Sequence, residues 1–253
     1  MKINRILPLV IPLLIYLLFQ IYFFYPRIIY IVLVLMNLLI FFTMRQFSLE
    51  SQVDKKWWNF LILPVVMTSF IVIYTLFLDN KTIVQLLFIL DVIYLYFYIR
   101  FVYFYLIKPL AYEAFSIENI TSYGNFLTFF LIAAAVYGLQ SFLDVSIWLL
   151  EIIILVLSAI ILYQFFWVNK IVFKKVIPYI LIGCFILIEL SWSISFLPLN
   201  FNILGLTLAI CYYMLAGIIK NYLLDKLDSK KIKIYLTIGL TSLILILVTA
   251  RWA

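Results

Sequence analysis

The chain has 253 residues, 68% of them hydrophobic and 11% charged, with a formal net charge of +7 and a mean hydropathy of +1.22. A water-soluble domain has roughly 45–50% apolar and about 25% charged residues, so this composition excludes a soluble core and makes lipid the solvent for most of the chain. No histidine occurs, which removes every mechanism that needs an imidazole, including Ser-His and Cys-His hydrolases and HExxH zinc sites.

Nine apolar spans can be drawn, at approximately 7–25, 28–44, 57–78, 82–106, 123–143, 146–167, 176–197, 200–219 and 234–252. About 20 apolar residues suffice to cross a bilayer as a helix. Continuous apolarity without strict alternation excludes a barrel, whose strands alternate lumen and lipid faces. The expected fold is therefore all-α, a polytopic bundle of about nine transmembrane helices, with residues 1–253 forming one integral membrane domain. The first span opens with Met1-Lys2-Ile3-Asn4-Arg5 like a signal peptide. It runs on into Tyr22-Phe23-Phe24-Tyr25 without a small-residue cleavage site, so it reads as a retained helix. The short Tyr25-Pro26-Arg27 link joins spans one and two as a tight hairpin.

Cations set the expected orientation. Lys2 and Arg5 precede span one; Arg45, Lys55 and Lys56 follow span two; Arg100 and Lys108 lie at the end of span four. Lys170, Lys174 and Lys175 follow span six, and Lys220, Lys226, Lys230, Lys231 and Lys233 follow span eight. The opposite side holds only Arg27, Lys81 and Arg251. This bias predicts a cytoplasmic N-terminus and an outer C-terminus in a bacterial-type cytoplasmic membrane. Trp57, Trp58 and Trp167 on one side, and Trp148, Trp192 and Trp252 on the other, read as interfacial belts. The Lys108–Tyr123 connection, with Glu113 and Glu118, is expected to hold a short surface helix and turn. The Lys220–Lys233 link is a solvated, lysine-rich segment that attracts anionic headgroups. Membrane lipids are thus expected partners, and nothing points to nucleic acid.

Three carboxylates fall within spans: Asp91, Glu151 and Glu189. A charge in hydrocarbon is costly, and such residues usually face a bundle interior or a water-filled cavity. At 1.5 Å per residue, Asp91 lies roughly 14 Å from the outer end of its span, Glu151 roughly 8 Å and Glu189 roughly 11–12 Å. Asp91 shares a face with Tyr94 and Tyr98, Glu151 with Ser158, and Glu189 with Ser193. Arg251 lies near the outer ends, where it reads first as an interfacial anchor beside Trp252. The candidate binding set is therefore Asp91, Glu151, Glu189, Ser193 and Arg251, with Glu189 the foremost.

Cys184 and Cys211 sit in apolar runs and read as small buried residues, without disulfide or metal spacing. No metal site, catalytic residue or cofactor is expected. Ala133, Ala134, Ala135 and Gly138, and Gly205 with Ala209, provide small faces for close helix approach. Pro8 and Pro12, Pro64 and Pro178 are expected within the first turn of their helices, where proline is tolerated. No GxSxG, GxGD, DxxxD or paired-Glu motif occurs, so an enzyme is not the leading expectation. That expectation is transport or translocation of a small solute or lipid through an outward-facing acidic cavity. Beside it stand a non-catalytic scaffold or subunit with a membrane protein partner, and a membrane-embedded lipid- or glycan-modifying enzyme using Glu189 or Asp91 as base.

Overall fold

The computed structural model describes residues 2–51 and 57–250, with side chains from Arg5 onward. These residues form nine α-helices and no strand: α1 (Lys2–Phe24), α2 (Ile29–Glu50), α3 (Trp58–Thr75), α4 (Lys81–Ile107), α5 (Ser116–Leu143), α6 (Ile147–Val168), α7 (Phe173–Ser195), α8 (Phe201–Leu223) and α9 (Ser229–Thr249). Each is long and apolar enough to cross a membrane. In hydrocarbon only a helix satisfies its own backbone within one segment, and that is why every apolar run folds this way.

Helices α1, α5, α7 and α9 begin before their apolar spans, and α2 and α8 run on past the ends of theirs. Hydropathy marks where a segment leaves lipid, whereas hydrogen bonding continues into polar residues beyond it. Two expectations change. Pro8 and Pro12 fall inside α1, Pro64 inside α3 and Pro178 inside α7 rather than in their first turns. The Lys108–Tyr123 connection holds a single 3-10 turn at Pro109–Ala111, and α5 already begins at Ser116. There the Tyr112 hydroxyl donates to Glu118 at 3.0 Å and accepts from the Ile117 amide at 3.2 Å. Burial pushes the Tyr112 phenol up to about 12, so it remains a donor at neutral pH.

The chain divides into two compact units, Met1–Gly124 and Asn125–Ala253. The division falls inside the continuous helix α5, with no linker. In the first unit, α1 packs on α4 and on α2, and α3 packs on α2 and α4. Phe19 stacks on Phe88 at 4.4 Å. Polar pairs join the helices in register: Gln20 and Gln85 exchange amide hydrogen bonds of 2.7 and 3.1 Å, and Asn37 donates to Ser69 at 3.1 Å.

In the second unit α6 packs on α7, α7 on α8 and α8 on α9. The small residues expected to bring helices together do so here. A Cβ on Gly205 would lie 2.6–2.8 Å from the backbone and Cβ of Ala134, so α5 and α8 meet at backbone distance. Asp144 (φ 48°), directly after α5, and two further helix ends turn without glycine. Lys170 (φ 61°) follows α6 and Asp225 (φ 54°) follows α8 in the left-handed region. Each is locked by paired bonds, Ile171 N–H to Phe166 O with Lys170 N–H to Trp167 O, and Lys226 N–H to Asn221 O with Asp225 N–H to Tyr222 O. These are the carbonyls a helix end leaves open.

Gly205→Ala forces backbone apart and is expected to lower stability by about 1–3 kcal/mol. Gly183→Ala meets side chains rather than backbone, those of Leu215 and Leu162 at 3.1 and 3.2 Å and of Ile219 at 3.9 Å, and should cost clearly less. Unfolding of the two purified variants in detergent, compared with the parent chain, checks this ordering.

Candidate functional site

Many hydroxyls inside these helices bond back to their own helix. Thr43 donates to Leu39 O, Thr68 to Pro64 O and Thr207 to Ile203 O, at 2.7–2.8 Å. Such groups are satisfied locally and leave nothing for a ligand. The polar groups that matter are those whose partners lie on another helix, or that are buried with no partner.

In the second unit these requirements meet at Glu151 on α6. Its Oε1 accepts a 3.0 Å hydrogen bond from the Ser191 hydroxyl on α7. The Tyr137 hydroxyl on α5 reaches both the Ser191 carbonyl, at 3.0 Å, and the Ser191 Oγ, at 3.2 Å. Three helices are thereby joined by one chain of side chains. Glu151 is 8% exposed, Tyr137 2% and Ser191 0%. The other carboxyl oxygen, Oε2, is buried without a partner among the described residues. Glu151 is four residues into α6 and Ser191 four residues from the end of α7, so both lie roughly 6 Å from the same end of this unit. A carboxyl group held by one oxygen and open at the other can accept or release a proton, or meet a cation or a donor.

In the first unit Asp91 on α4 is fully buried, and neither carboxyl oxygen has a partner among the described residues. Its face continues through Tyr94 and Tyr98, whose rings stack at 5.9 Å. The Tyr94 hydroxyl reaches Ile120 O at 3.4 Å, and the ring lies against Gly124, so α4 is fixed on the first turns of α5. Tyr98 donates to Phe60 O at 2.8 Å. Phe60 lies four residues before Pro64, which has no N–H to give that carbonyl. The tyrosine face that carries Asp91 thus also repairs a proline-broken helix.

The candidates therefore have different fates. Asp91 and Glu151 face inward, as expected. Ser158, placed on the face of Glu151, is also fully buried. Glu189 does not face the interior. It lies on an exposed stripe of α7 with Leu181, Ile182, Phe185, Ile186 and Trp192. The neighbouring turns rotate Gly183, Cys184, Leu187 and Ser191 inward, and this directs Glu189 outward. Ser193 shares its face as expected, but its hydroxyl donates to Glu189 O at 2.8 Å and is exposed. Arg251 lies outside the described residues. Among the described residues no group of three His, Cys, Asp or Glu side chains could hold a metal.

Sequence reasoning missed Tyr137 and Ser191 as partners of Glu151. It also missed Asn125, whose amide donates to Gln164 Oε1 at 3.0 Å in the interior of the second unit. Asn125 Oδ1, Gln164 Nε2 and Thr128 Oγ1 are buried there without partners among the described residues. The available signal was an amide inside an apolar span; weighing only the acids passed it over.

Residues 28–249 match the model of a family described as a protein of unknown function (DUF5656), and the chain belongs to that family. No curated protein and no solved structure matches it.

Ser191→Ala removes the central hydroxyl and strands Glu151, while Tyr137 keeps the carbonyl of residue 191, and this should cost about 1–3 kcal/mol. Glu151→Gln keeps an acceptor for Ser191 and is expected to stay closer to the parent chain. Reversal of that order in unfolding experiments would mean that the bridge does not hold the three helices.

Proposed function

We propose that this DUF5656 chain is a transport or translocation protein for a small solute or lipid, using buried carboxyl groups as its working sites. It would lie in a bacterial-type cytoplasmic membrane with its N-terminus inside, the orientation favoured by the lysine and arginine bias. The observation that carries the reading is Asp91: a carboxyl group at 0% exposure, with neither oxygen partnered among the described residues, on a helix fit to cross a membrane. A structural carboxyl in such a place usually finds a donor. One left open is suited to exchange a proton or receive a cation. Glu151 supports the same reading from the second unit, with one oxygen tied and one open.

The test is ion movement in reconstituted liposomes that enclose a pH-sensitive dye. A potassium diffusion potential set with valinomycin drives protons inward, and a parallel series follows labelled sodium. The parent chain is expected to exceed protein-free liposomes for one of the two ions, and Asp91→Asn to return the rate to the protein-free level. Equal rates for the parent and Asp91→Asn would end the assignment of Asp91 as the working group.

A second reading, a non-catalytic subunit of a larger membrane assembly, is favoured by Glu189. A carboxylate on an apolar, exposed helix face is a poor neighbour for lipid tails and a good one for a donor on another membrane helix. A photo-crosslinking residue at position 189 in cells should then capture a protein, and Glu189→Leu should leave the unfolding of the isolated chain unchanged. Lipid adducts alone would remove this reading.

A further inference from the structure

At the end of the first unit where α1 begins and α4 ends, a recess of about 330 Å³ is lined by Arg5 of α1, by Tyr96, Arg100, Tyr103 and Phe104 of α4, and by Lys108 just beyond it. Three cations converge from two antiparallel helices. No carboxylate lies on α1, and the single one on α4, Asp91, is nine residues from Arg100 and faces inward. Among the described residues none of the three cations forms an ion pair.

Arg100 is held in place. One terminal nitrogen, Nη1, donates to the Tyr96 hydroxyl at 2.9 Å. Its guanidinium carbon lies 5.8 Å from the Tyr96 ring centroid and 5.7 Å from that of Phe104. A guanidinium has five donors in a fixed fork that matches phosphate oxygens, so most of this fork is free and already oriented. Away from the cations the walls become apolar. Leu13 and Leu17 continue the face of Leu9 on α1, and Ile93 and Ile89 continue that of Arg100 and Tyr96 on α4; all are exposed.

We propose that this recess binds the phosphate headgroup of an anionic membrane lipid, with Arg5, Arg100 and Lys108 on the phosphate and the α1 and α4 faces along its acyl chains. Unpaired cations alone would suit any phosphate. The apolar stripe running on from the recess is what selects a lipid over a soluble phosphate. Basic pockets between helices suit anionic headgroups generally. The site is distinct from Asp91 and Glu151, and it stands whichever way the chain is oriented.

Native mass spectrometry of the full chain in detergent, titrated with dioctanoyl phosphatidylglycerol, tests this. The parent chain should bind the lipid saturably, and the double variant Arg5→Gln/Arg100→Gln should bind about tenfold more weakly, the scale expected for losing charge-assisted bonds. Arg100→Lys should recover part of the loss. Lys174→Gln/Lys175→Gln, at the start of α7, should leave binding unchanged. If the double variant fails to fold, Lys108→Gln at the exposed edge should still weaken binding measurably. Equal binding by the double variant, or by Lys108→Gln in that case, overturns the site. Glycerol 3-phosphate displacing the lipid at equal concentration would overturn the lipid assignment in favour of a soluble phosphate.

Discussion

Inside hydrocarbon a polar group must find its partner within the protein, and that requirement accounts for most of this structure. Threonine and serine hydroxyls turn back to their own helices. Amides pair across α1 and α4, and within the second unit across α5 and α6. A proline that opens the α3 ladder is answered by a tyrosine from α4. Against that background, the carboxyl oxygens left open among the described residues stand out: both of Asp91 and one of Glu151.

The three intramembrane carboxylates illustrate how one residue type takes three roles from its surroundings. Glu151 is tied by one oxygen into a bridge between helices. Asp91 is enclosed beside stacked tyrosines with no donor supplied. Glu189 is turned away from its own unit on a stripe of large apolar side chains. Along the sequence, Glu189 at roughly 11–12 Å lies between Glu151 and Asp91 in depth. Rotation about the helix axis, not depth, separates an interior acid from an outward one.

That distinction also marks what the sequence could show. The nine helices were legible because apolar length is a strong signal. Glu151 and Asp91 were legible as buried acids, and the close approach at Gly205 followed from small-residue spacing. The starts of α1, α5, α7 and α9 were not, because polar residues at the edges extend a helix without registering in hydropathy. The face of Glu189 was not legible either. Nearly every residue of α7 is apolar, so no amphipathic contrast shows which side packs against a neighbour. The partnership of Tyr137, Ser191 and Glu151 joins residues 40 and 54 positions apart; no local pattern records it. Arg5 and Arg100 were counted for orientation, yet their convergence depends on α1 and α4 lying side by side.

The bond between Tyr98 and the Phe60 carbonyl has a consequence for biogenesis. As the chain leaves the ribosome, α3 is complete before α4, and for that interval the bond from Tyr98 to its Phe60 carbonyl is not yet made. The hydroxyl that makes it lies 38 residues later. Helix α3 gains this bond only with the arrival of its successor, and the two settle against each other through a tyrosine that is fully buried in the fold.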